Sequence, residues 1–272
     1  MKCNLAVIGA AGRMGRRILS LAKESDRFDI VAAIERPGHP DIGKDAGLVA
    51  MAAAIGVNLS SEFPAADPST AMRACVAIDF SQPEAANKTI DYCAGNGVAL
   101  VLGTTGLSNQ QHGKIRAASQ KTPILYATNM SVGMNVLFSL VGKVAGMLGE
   151  EYDIEIIEQH HRFKKDAPSG SALTLAESIC KATGRDFPQA VTVGRSGKDA
   201  LRQKGTIGMH AIRAGDITGE HSVIFSTLGE TVTVSHIAHS RDTFARGALR
   251  AAEWLVGKKP ALYSMADVLG IE

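Results

Sequence analysis

The N-terminal stretch of this chain constrains its fold more than any other segment. Residues 5–8 form a short continuous apolar run, typical of a parallel strand that is buried on both faces. Residues 9–15 follow at once with a glycine at every third position, and apolar residues at helical spacing continue to Glu24. A strand, a glycine loop and a helix in this order predict a dinucleotide-binding turn, because backbone N–H groups and the helix dipole attract a pyrophosphate there.

A second apolar run, residues 30–34, ends in Glu35 and Arg36. Glu35 lies 20 residues after Gly15, and an acidic side chain at the tip of the second strand is placed to accept hydrogen bonds from a ribose hydroxyl. The Arg36 guanidinium is suited to a 2′-phosphate or to stacking on adenine. The pair therefore predicts that NADH and NADPH are both used, against the alternative of two solvated surface charges.

Three more apolar runs, residues 76–80, 98–102 and 123–126, continue the alternation of strands and helices. We therefore predict an α/β fold with a Rossmann-type, doubly wound parallel sheet. Ligands of such sheets bind outside the carboxyl ends of the strands, so the turns at residues 103–105 and 127–130 are expected to meet the nicotinamide end of the cofactor. Each turn is also explained as an ordinary tight connection.

The pattern changes near residue 130. A helix, a strand ending near Gln159 and a second helix are followed by short alternating segments, which predict a mixed sheet in a second α+β domain over residues 131–240. A helical pattern returns after this domain and suits a helix that packs on the first one. Residues 1–130 plus 241–272 are therefore predicted to form the dinucleotide-binding domain.

Composition and charge exclude several classes of function. A chain of 272 residues with a formal net charge of +2 and no long basic run gives no electrostatic support for nucleic-acid binding. The longest apolar stretches are too short to span a bilayer, so we expect no membrane association. The four cysteines are scattered and the N-terminus lacks a signal-peptide layout, which favours a soluble cytoplasmic protein with reduced thiols.

Residues 155–172 concentrate proton-handling and charged groups. An apolar strand leads into Glu158, His160 and His161, and Lys164 follows. A histidine pair, a fixed cation and a helix start within so short a span predict a site for an anionic substrate that must gain a proton. Because alternate residues of a strand share a face, Glu158 and His160 are expected on one side and Gln159 and His161 on the other, unless the strand ends first.

Other kinds of site fit this stretch less well. A metal centre needs a third ligand at suitable spacing, and we expect none. A hydrolase built on Ser169 or Ser171 would lack a nucleophile elbow and would leave the glycine loop without a purpose. Ser169 is instead expected to cap a helix while Gly170 and Ser171 bind ligand, although an N-cap alone would also favour serine.

The later histidines are dispersed among the short strands of the second domain. We interpret them as structural or surface groups, with His236 and Arg241 as the candidates to border the site. These histidines are His210, His221, His236 and His239.

Four motifs together resemble the dihydrodipicolinate reductase (4-hydroxy-tetrahydrodipicolinate reductase) family of the diaminopimelate–lysine pathway. They are G-A-A-G-R-M-G-R at 9–16, G-T-T-G at 103–106, E-x-x-E-x-H-H-x-x-K-x-D-x-P-S-G at 155–170 and S-H-x-A-x-S-R-x-x-F-A at 235–245. The resemblance implies a Rossmann domain, and a middle domain that binds a cyclic dicarboxylate and builds a homotetramer. It also implies NADH or NADPH as the hydride donor.

The resemblance also assigns roles to individual residues. His160 is implied as the acid/base residue, Lys164 as the proton donor, and His161 with the Gly170 and Ser171 backbone as substrate contacts. Ser171 stands where the family usually has threonine, and Met130 where an aromatic residue is frequent. The implied cofactor contacts are Gly9, Ala10, Ala11, Gly12, Arg13, Met14, Glu35, Arg36, Gly103, Thr104, Thr105, Ala127, Thr128, Asn129 and Met130.

The implied reaction is reduction of 4-hydroxy-tetrahydrodipicolinate to tetrahydrodipicolinate. Hydride adds to C4 of the ring, and Lys164 or His160 supplies the proton. Two alternatives stay open at this stage: a dehydrogenase of another small acid on the same scaffold, and a sensor that binds NAD(P) without catalysis.

Overall fold

The computed structural model describes residues 2–64 and 75–271. The chain forms two compact units, the first combining Met1–Ser131 with Arg241–Gly270 and the second covering Val132–Ser240. The strands, in chain order, are β1 (Cys3–Ile8), β2 (Phe28–Ile34), β3 (Leu59–Ser60), β4 (Val76–Asp79), β5 (Ala99–Leu102), β6 (Ile124–Tyr126), β7 (Asp153–His160), β8 (Val191–Val193), β9 (Ile207–Arg213), β10 (Glu220–Ser226), β11 (Thr231–Ile237) and β12 (Leu262–Tyr263). The helices are α1 (Arg13–Ser25), α2 (Ala46–Val49), α3 (Pro83–Asn96), α4 (Asn109–Ala118), α5 (Val132–Leu148), α6 (Gly170–Thr183), α7 (Asp242–Leu255) and α8 (Met265–Leu269).

The first unit is built on a seven-stranded parallel sheet in the order β12-β6-β5-β4-β1-β2-β3. All residues of β4 and β5 are buried, which explains why their sequences read as nearly continuous apolar runs. The strand β1 pairs with β2 on one side and β4 on the other, so the strand order reverses there. Ligands of open parallel sheets bind at such a reversal. The predicted Rossmann-type sheet is confirmed.

Helices α1 and α7 pack together in this unit. Helix α1 buries Ile18, Leu19 and Leu21 on one face, as its apolar spacing predicts. Two hydrogen bonds of 2.7 Å from Arg17 to Asp242 join α1 to the first turn of α7. The short elements α2, β3, β12 and α8 carry too few residues for periodicity to predict them.

The second unit is built on a five-stranded mixed sheet in the order β11-β10-β7-β9-β8. The strand β10 runs antiparallel to β7 and β11, whereas β9 runs parallel to β7 and β8. Helices α5 and α6 pack with one face of this sheet around a core that includes Ile156, Leu175, Met209 and Phe225. The prediction of a mixed sheet in an α+β unit is confirmed.

The central strand β7 determines where His160 and His161 lie. Its even-numbered residues Ile154, Ile156 and Glu158 are buried, and the strand ends at His160. The loop that follows leads to α6, whose first residue is Gly170. Among the helices of residues 2–64 and 75–271, none is both long and apolar enough to cross a bilayer.

Candidate active site

The glycine loop after β1 is shaped by two close approaches of backbone to backbone. Gly9 has a φ of +72°, and a Cβ there would lie 2.9 Å from the carbonyl oxygen of Phe80. A Cβ at Gly15 would overlap the carbonyl oxygen of Gly9, so the first turn of α1 packs directly on the loop. Only glycine fits both positions without displacement of the backbone.

Most loop amides are already engaged within the unit. The N–H groups of Gly9 and Ala10 both donate to the carbonyl of Ile34, at 2.9 and 3.0 Å. The N–H of Ala11 donates to Glu35 Oε2 at 3.0 Å, so this carboxylate fastens the loop to the end of β2. The first N–H groups of a helix have no intrahelical acceptor, so those at the start of α1, beginning with Arg13, are the ones suited to hold a phosphate.

A cavity of about 430 Å³ opens beside this loop. Its lining includes Gly9, Gly12, Glu35 and Arg36, together with Lys88 of α3. The glycines, the acidic side chain and the cation are the groups that a dinucleotide requires, so the residues present fit this cofactor.

The turns after β5 and β6 present mainly backbone. A Cβ at Gly103 would lie 2.5 Å from the ring of Phe80, and the Thr104 hydroxyl donates to Asp79 Oδ1 at 3.0 Å in the interior. Met130 is only 1% exposed. The side chains of Thr104 and Met130 are therefore committed to the core, and a ligand would meet their backbone.

The neighbouring residues of these two turns differ in exposure. Thr105 and Thr128 are exposed, and Ala127 is partly exposed. The Ala127 N–H donates to the Leu102 carbonyl, and Asn129 Oδ1 accepts from the Ser131 N–H at 2.9 Å. The turn after β6 is thus held by β5 and by its own side chain.

In the second unit, the carboxylate of Glu158 is the centre of a buried cluster. Its Oε2 lies 2.6 Å from His160 Nδ1 and accepts from Arg213 Nη1 at 2.8 Å. Its Oε1 accepts from Arg213 Nη2 at 2.8 Å and from the Ser169 N–H at 3.0 Å. The Glu158 side chain is fully buried, so this single group joins β7, β9 and the start of α6.

These contacts determine the charge of Glu158 and the proton position on His160. Burial alone would raise the pKa of Glu158, but the hydrogen bonds from His160, Arg213 and the Ser169 N–H lower it to about 2. An ionised carboxylate only accepts hydrogen bonds. His160 Nδ1 therefore carries a proton, and Nε2 is the ring nitrogen that can take up and release one.

His221 lies against His160 in the same cluster. The two rings are perpendicular with centroids 5.2 Å apart, and His221 Nε2 is 3.2 Å from Ser169 Oγ. Burial lowers the pKa of His221 to about 3, and the neighbouring His160 acts in the same direction. His221 is therefore neutral near pH 7.

Lys164 and Asp166 occupy the loop between β7 and α6. Lys164 Nζ lies 2.9 Å from Asp166 Oδ1, and the Asp166 carbonyl accepts from Arg213 Nη2 at 2.6 Å. Burial would raise the pKa of Asp166, but the hydrogen bond from Lys164 lowers it. Arg213 therefore binds both this loop, through the Asp166 carbonyl, and the Glu158 carboxylate.

The start of α6 completes the site. Ser169 Oγ accepts from the Ala172 N–H at 3.2 Å, which confirms the predicted N-cap. Gly170 is exposed, and a Cβ there would meet no atom within 4 Å. Packing within the described part of the chain thus gives no reason for a glycine at this position.

The structure brings together some predicted residues and adds others. Glu158 and His160 share a face of β7, as predicted. No sequence motif singles out Arg213, which lies in the cluster. His221, one of the dispersed histidines that the sequence predicts to be structural or surface groups, lies there too. Antiparallel pairing of β10 with β7 places His221 opposite Glu158, and parallel pairing of β9 places Arg213 opposite His160. Only this register reveals them.

Comparison with known proteins gives one family for both units. The model described as "Dihydrodipicolinate reductase, N-terminus" matches residues 3–130, and the one described as "Dihydrodipicolinate reductase, C-terminus" matches residues 133–269. The chain belongs to the dihydrodipicolinate reductase family. The two models together match nearly the full sequence, and membership of a reductase family with a Rossmann-type sheet supports a nicotinamide cofactor.

Relatives within the reductase family match end to end. The 4-hydroxy-tetrahydrodipicolinate reductase of Citrifermentans bemidjiense is 44% identical over 268 residues, which cover 98% of each chain. That of Alkalilimnicola ehrlichii is 44% identical over 275 residues and covers 100% of both. A solved dipicolinate-bound dihydrodipicolinate reductase from Paenisporosarcina sp. TG-14 has a TM-score of 0.73 at 20% identity, covering 98% of this chain and 99% of that one. This last likeness shows the fold alone.

Proposed function

We propose that this protein is an NAD(P)H-dependent reductase that converts 4-hydroxy-tetrahydrodipicolinate to tetrahydrodipicolinate in lysine and diaminopimelate biosynthesis. The end-to-end match to reductases of that name supports the substrate. The observation that carries the chemistry is the buried cluster at the end of β7. In it Glu158 determines the proton position on His160, and Arg213 also binds the loop that carries Lys164.

The first unit is proposed to bind the dinucleotide and the second to bind substrate. When bound, the reduced nicotinamide supplies hydride to C4 of the ring. The N–H groups at the start of α1 hold the pyrophosphate, and Glu35 with Arg36 holds the adenosine ribose. The remaining contacts are the backbone of residues 103–105 and 127–130. Both NADH and NADPH are accepted, because one side chain suits a ribose hydroxyl and the other a 2′-phosphate.

The dicarboxylate substrate is held by the loop and the helix that follow β7. The positive end of the α6 dipole lies at Gly170 and Ser171 and favours a carboxylate there. Ser171 in place of the more frequent threonine keeps a hydroxyl and a backbone N–H. Lys164 and His161 provide further polar contacts to the anion.

The proton that completes the reduction comes from Lys164, with His160 as the acid/base residue. Negative charge that develops in the conjugated ring after hydride addition is stabilised by the nearby ammonium group. His160 exchanges a proton through Nε2, since its Nδ1 is held by Glu158. Loss of the 4-hydroxyl as water precedes hydride addition.

The protein is proposed to act as a cytoplasmic homotetramer assembled through the second unit. The face of the mixed sheet opposite the α5–α6 core carries Ile212 and Ile237, which are 42% and 52% exposed. Exposed apolar side chains on a sheet face suit burial between subunits. Light scattering on the purified protein tests this: a mass near four chains is expected, and a monomer at micromolar concentration would contradict it.

Absorbance at 340 nm tests the function. The purified protein with NADH or NADPH should consume the reduced cofactor only when 4-hydroxy-tetrahydrodipicolinate is added. Tight cofactor binding without consumption would favour the sensor. Consumption with another small acid but not with this substrate would favour a different dehydrogenase.

A further inference from the structure

The proposed proton transfer uses Lys164 and His160, and the His160 ring is bound by a carboxylate, that of Glu158, that the proposed reaction does not use. Its two oxygens have about four sites at which they can accept hydrogen bonds, and the structure fills four. The donors are His160 Nδ1, two nitrogens of Arg213 and the N–H of Ser169. A buried charge with so complete a set of donors holds each of them in a fixed position.

The three donor residues come from three elements of the unit, whose relative positions the proposed reaction depends on. His160 ends β7, Arg213 ends β9 and also binds the carbonyl of Asp166, and Ser169 caps α6. Burial of an ion pair is weak evidence for a stabilising role, since apolar replacements are often neutral or better. A role in orientation explains why a charge stands here.

We propose that Glu158, clamped by Arg213, is a positioning residue that fixes His160 as the Nδ1-protonated tautomer and aligns the start of α6. This proposal rests on the proposed reductase function for its consequence, namely that Nε2 of His160 is the nitrogen that exchanges a proton with substrate. The orientation itself follows from the hydrogen bonds alone. Neither Glu158 nor Arg213 touches substrate in this scheme.

Substitution of Glu158 by glutamine gives a sharp expectation. An amide group at the Oε1 position would face two obligate donors, Arg213 Nη2 and the Ser169 N–H. An amide group at the Oε2 position would face Arg213 Nη1, which also bonds the Ile212 carbonyl, and His160 Nδ1, which can become an acceptor. The second orientation costs less, and it forces His160 into the Nε2-protonated tautomer.

Nitrogen-15 NMR of the imidazole rings measures the tautomer of His160 directly at alkaline pH, where histidine rings are neutral. The signals of His160 are assigned by their loss in His160→Gln. In the unmodified protein we expect Nδ1 of His160 to be the protonated nitrogen, and in Glu158→Gln we expect Nε2. Protonation at Nε2 in the unmodified protein would overturn the proposal without any variant.

Kinetics give the second readout. Glu158→Gln should lower kcat at least about 10-fold, as loss of the correct tautomer does in other enzymes, with the KM for NADH changed less than about 2-fold. Glu158→Asp keeps an acceptor-only charge, so it should restore the Nδ1-protonated tautomer and recover part of kcat. Glu158→Gln with an unchanged tautomer and full kcat would overturn the proposal.

The chain offers a matched control on the same strand. Glu155 also has a pKa lowered to about 2: burial would raise it, but hydrogen bonds from Arg195, His210 and Arg202 lower it. Glu155→Gln therefore removes a similar charge from the other face of β7 and should leave both kcat and the His160 tautomer unchanged. An equal loss of kcat in both variants, with no change of tautomer in either, would show that Glu158 is merely structural.

These readouts separate the two proposals. If Glu158→Gln switches the tautomer but the unmodified protein never consumes NADH with 4-hydroxy-tetrahydrodipicolinate, the positioning role stands and the proposed function fails. If the unmodified protein is an active reductase and the tautomer does not depend on Glu158, the function stands and the positioning role fails. Should Glu158→Gln not fold, Glu158→Asp and the unmodified protein still give both measurements.

Discussion

The proposed dinucleotide turn of the first unit (residues 9–15) and the proposed proton site of the second (Glu158, His160, Lys164 and Arg213) are built in different ways. In the turn, residues adjacent in sequence act mainly through backbone, and glycines at positions 9 and 15 matter because of the space they leave. In the proton site, charged side chains from separate strands and loops converge on Glu158. The difference teaches that substitutions in the turn should change cofactor affinity, whereas substitutions in the proton site should change turnover.

The largest expected effect sharpens this comparison. Lys164→Ala and His160→Ala should each lower kcat by roughly two orders of magnitude or more, as loss of general acid catalysis does, with little change in cofactor affinity. Lys165→Ala removes an exposed neighbouring charge and should retain near-normal turnover. Steady-state kinetics and fluorescence titration with NADH measure the two quantities. Near-full activity of both Lys164→Ala and His160→Ala would break the assignment.

Gly15 and Gly170 differ in the room that the fold leaves for a Cβ atom, so alanine substitutions at the two positions form a matched pair. Gly15→Ala forces a Cβ against the Gly9 carbonyl. We therefore expect the free energy of unfolding to fall by about 1–3 kcal/mol and the affinity for NADH to fall by about 10-fold. Gly170→Ala meets no atom of the chain within 4 Å, so stability should be kept while KM for the dicarboxylate rises. Thermal melts and kinetics check both. A Gly170→Ala variant with unchanged KM would remove the helix start from the substrate site.

Substitution of Arg36 tests the proposed cofactor site through the relative affinities for NADPH and NADH, with a smaller expected effect. Arg36→Ala should weaken NADPH by about 10-fold and NADH much less, because a charge-assisted hydrogen bond to the 2′-phosphate is lost. Lys88→Ala, on α3 in the lining of the same cavity, serves as the control and should affect the two cofactors more equally. Dissociation constants measured at fixed salt decide the matter. Equal losses for both cofactors in Arg36→Ala would mean that this residue does not read the phosphate.

The smallest expected effect concerns the pH dependence of stability. The pKa of His221 is lowered to about 3 in the folded protein, against an ordinary value near 6.5, so only the unfolded chain gains this proton between those values. Its contribution is thus fully present above pH 6.5 and is lost as the pH falls from there toward 3. From pH 7 to 5.5, His221→Gln should lose about 1 kcal/mol less unfolding free energy than the unmodified protein. Equal losses in urea titrations would contradict the burial of a neutral histidine.

The sequence predicts the turn better than the proton site, for a physical reason. A strand, glycine spacing and an acidic residue at the next strand tip are local signals, so the loop after β1 and Glu35 could be found directly. Alternation along β7 also predicts correctly that Glu158 and His160 share a face, and the serine preference of helix starts predicts the cap at Ser169.

Arg213 and His221 could not be found in the same way. Their places depend on the register of β9 and β10 against β7, which is fixed by packing across the whole sheet and leaves no local signal. From the sequence alone, the dispersion of the later histidines among short strands favours a structural or surface role for His221. Likewise, the burial of the Thr104 and Met130 side chains depends on contacts with β4 and α7 that a turn sequence does not reveal.

If the first unit holds the hydride donor and the second supplies the proton, as proposed, the origin of each hydrogen added to the product can be predicted. With NADH carrying deuterium at both C4 positions of the nicotinamide, in ordinary water, NMR of the tetrahydrodipicolinate product should show one deuterium at C4 of the ring. With unlabelled NADH in heavy water, deuterium should enter the ring through Lys164 or His160 but not as the C4 hydride. Product without cofactor-derived deuterium, or no product at all, would contradict the account.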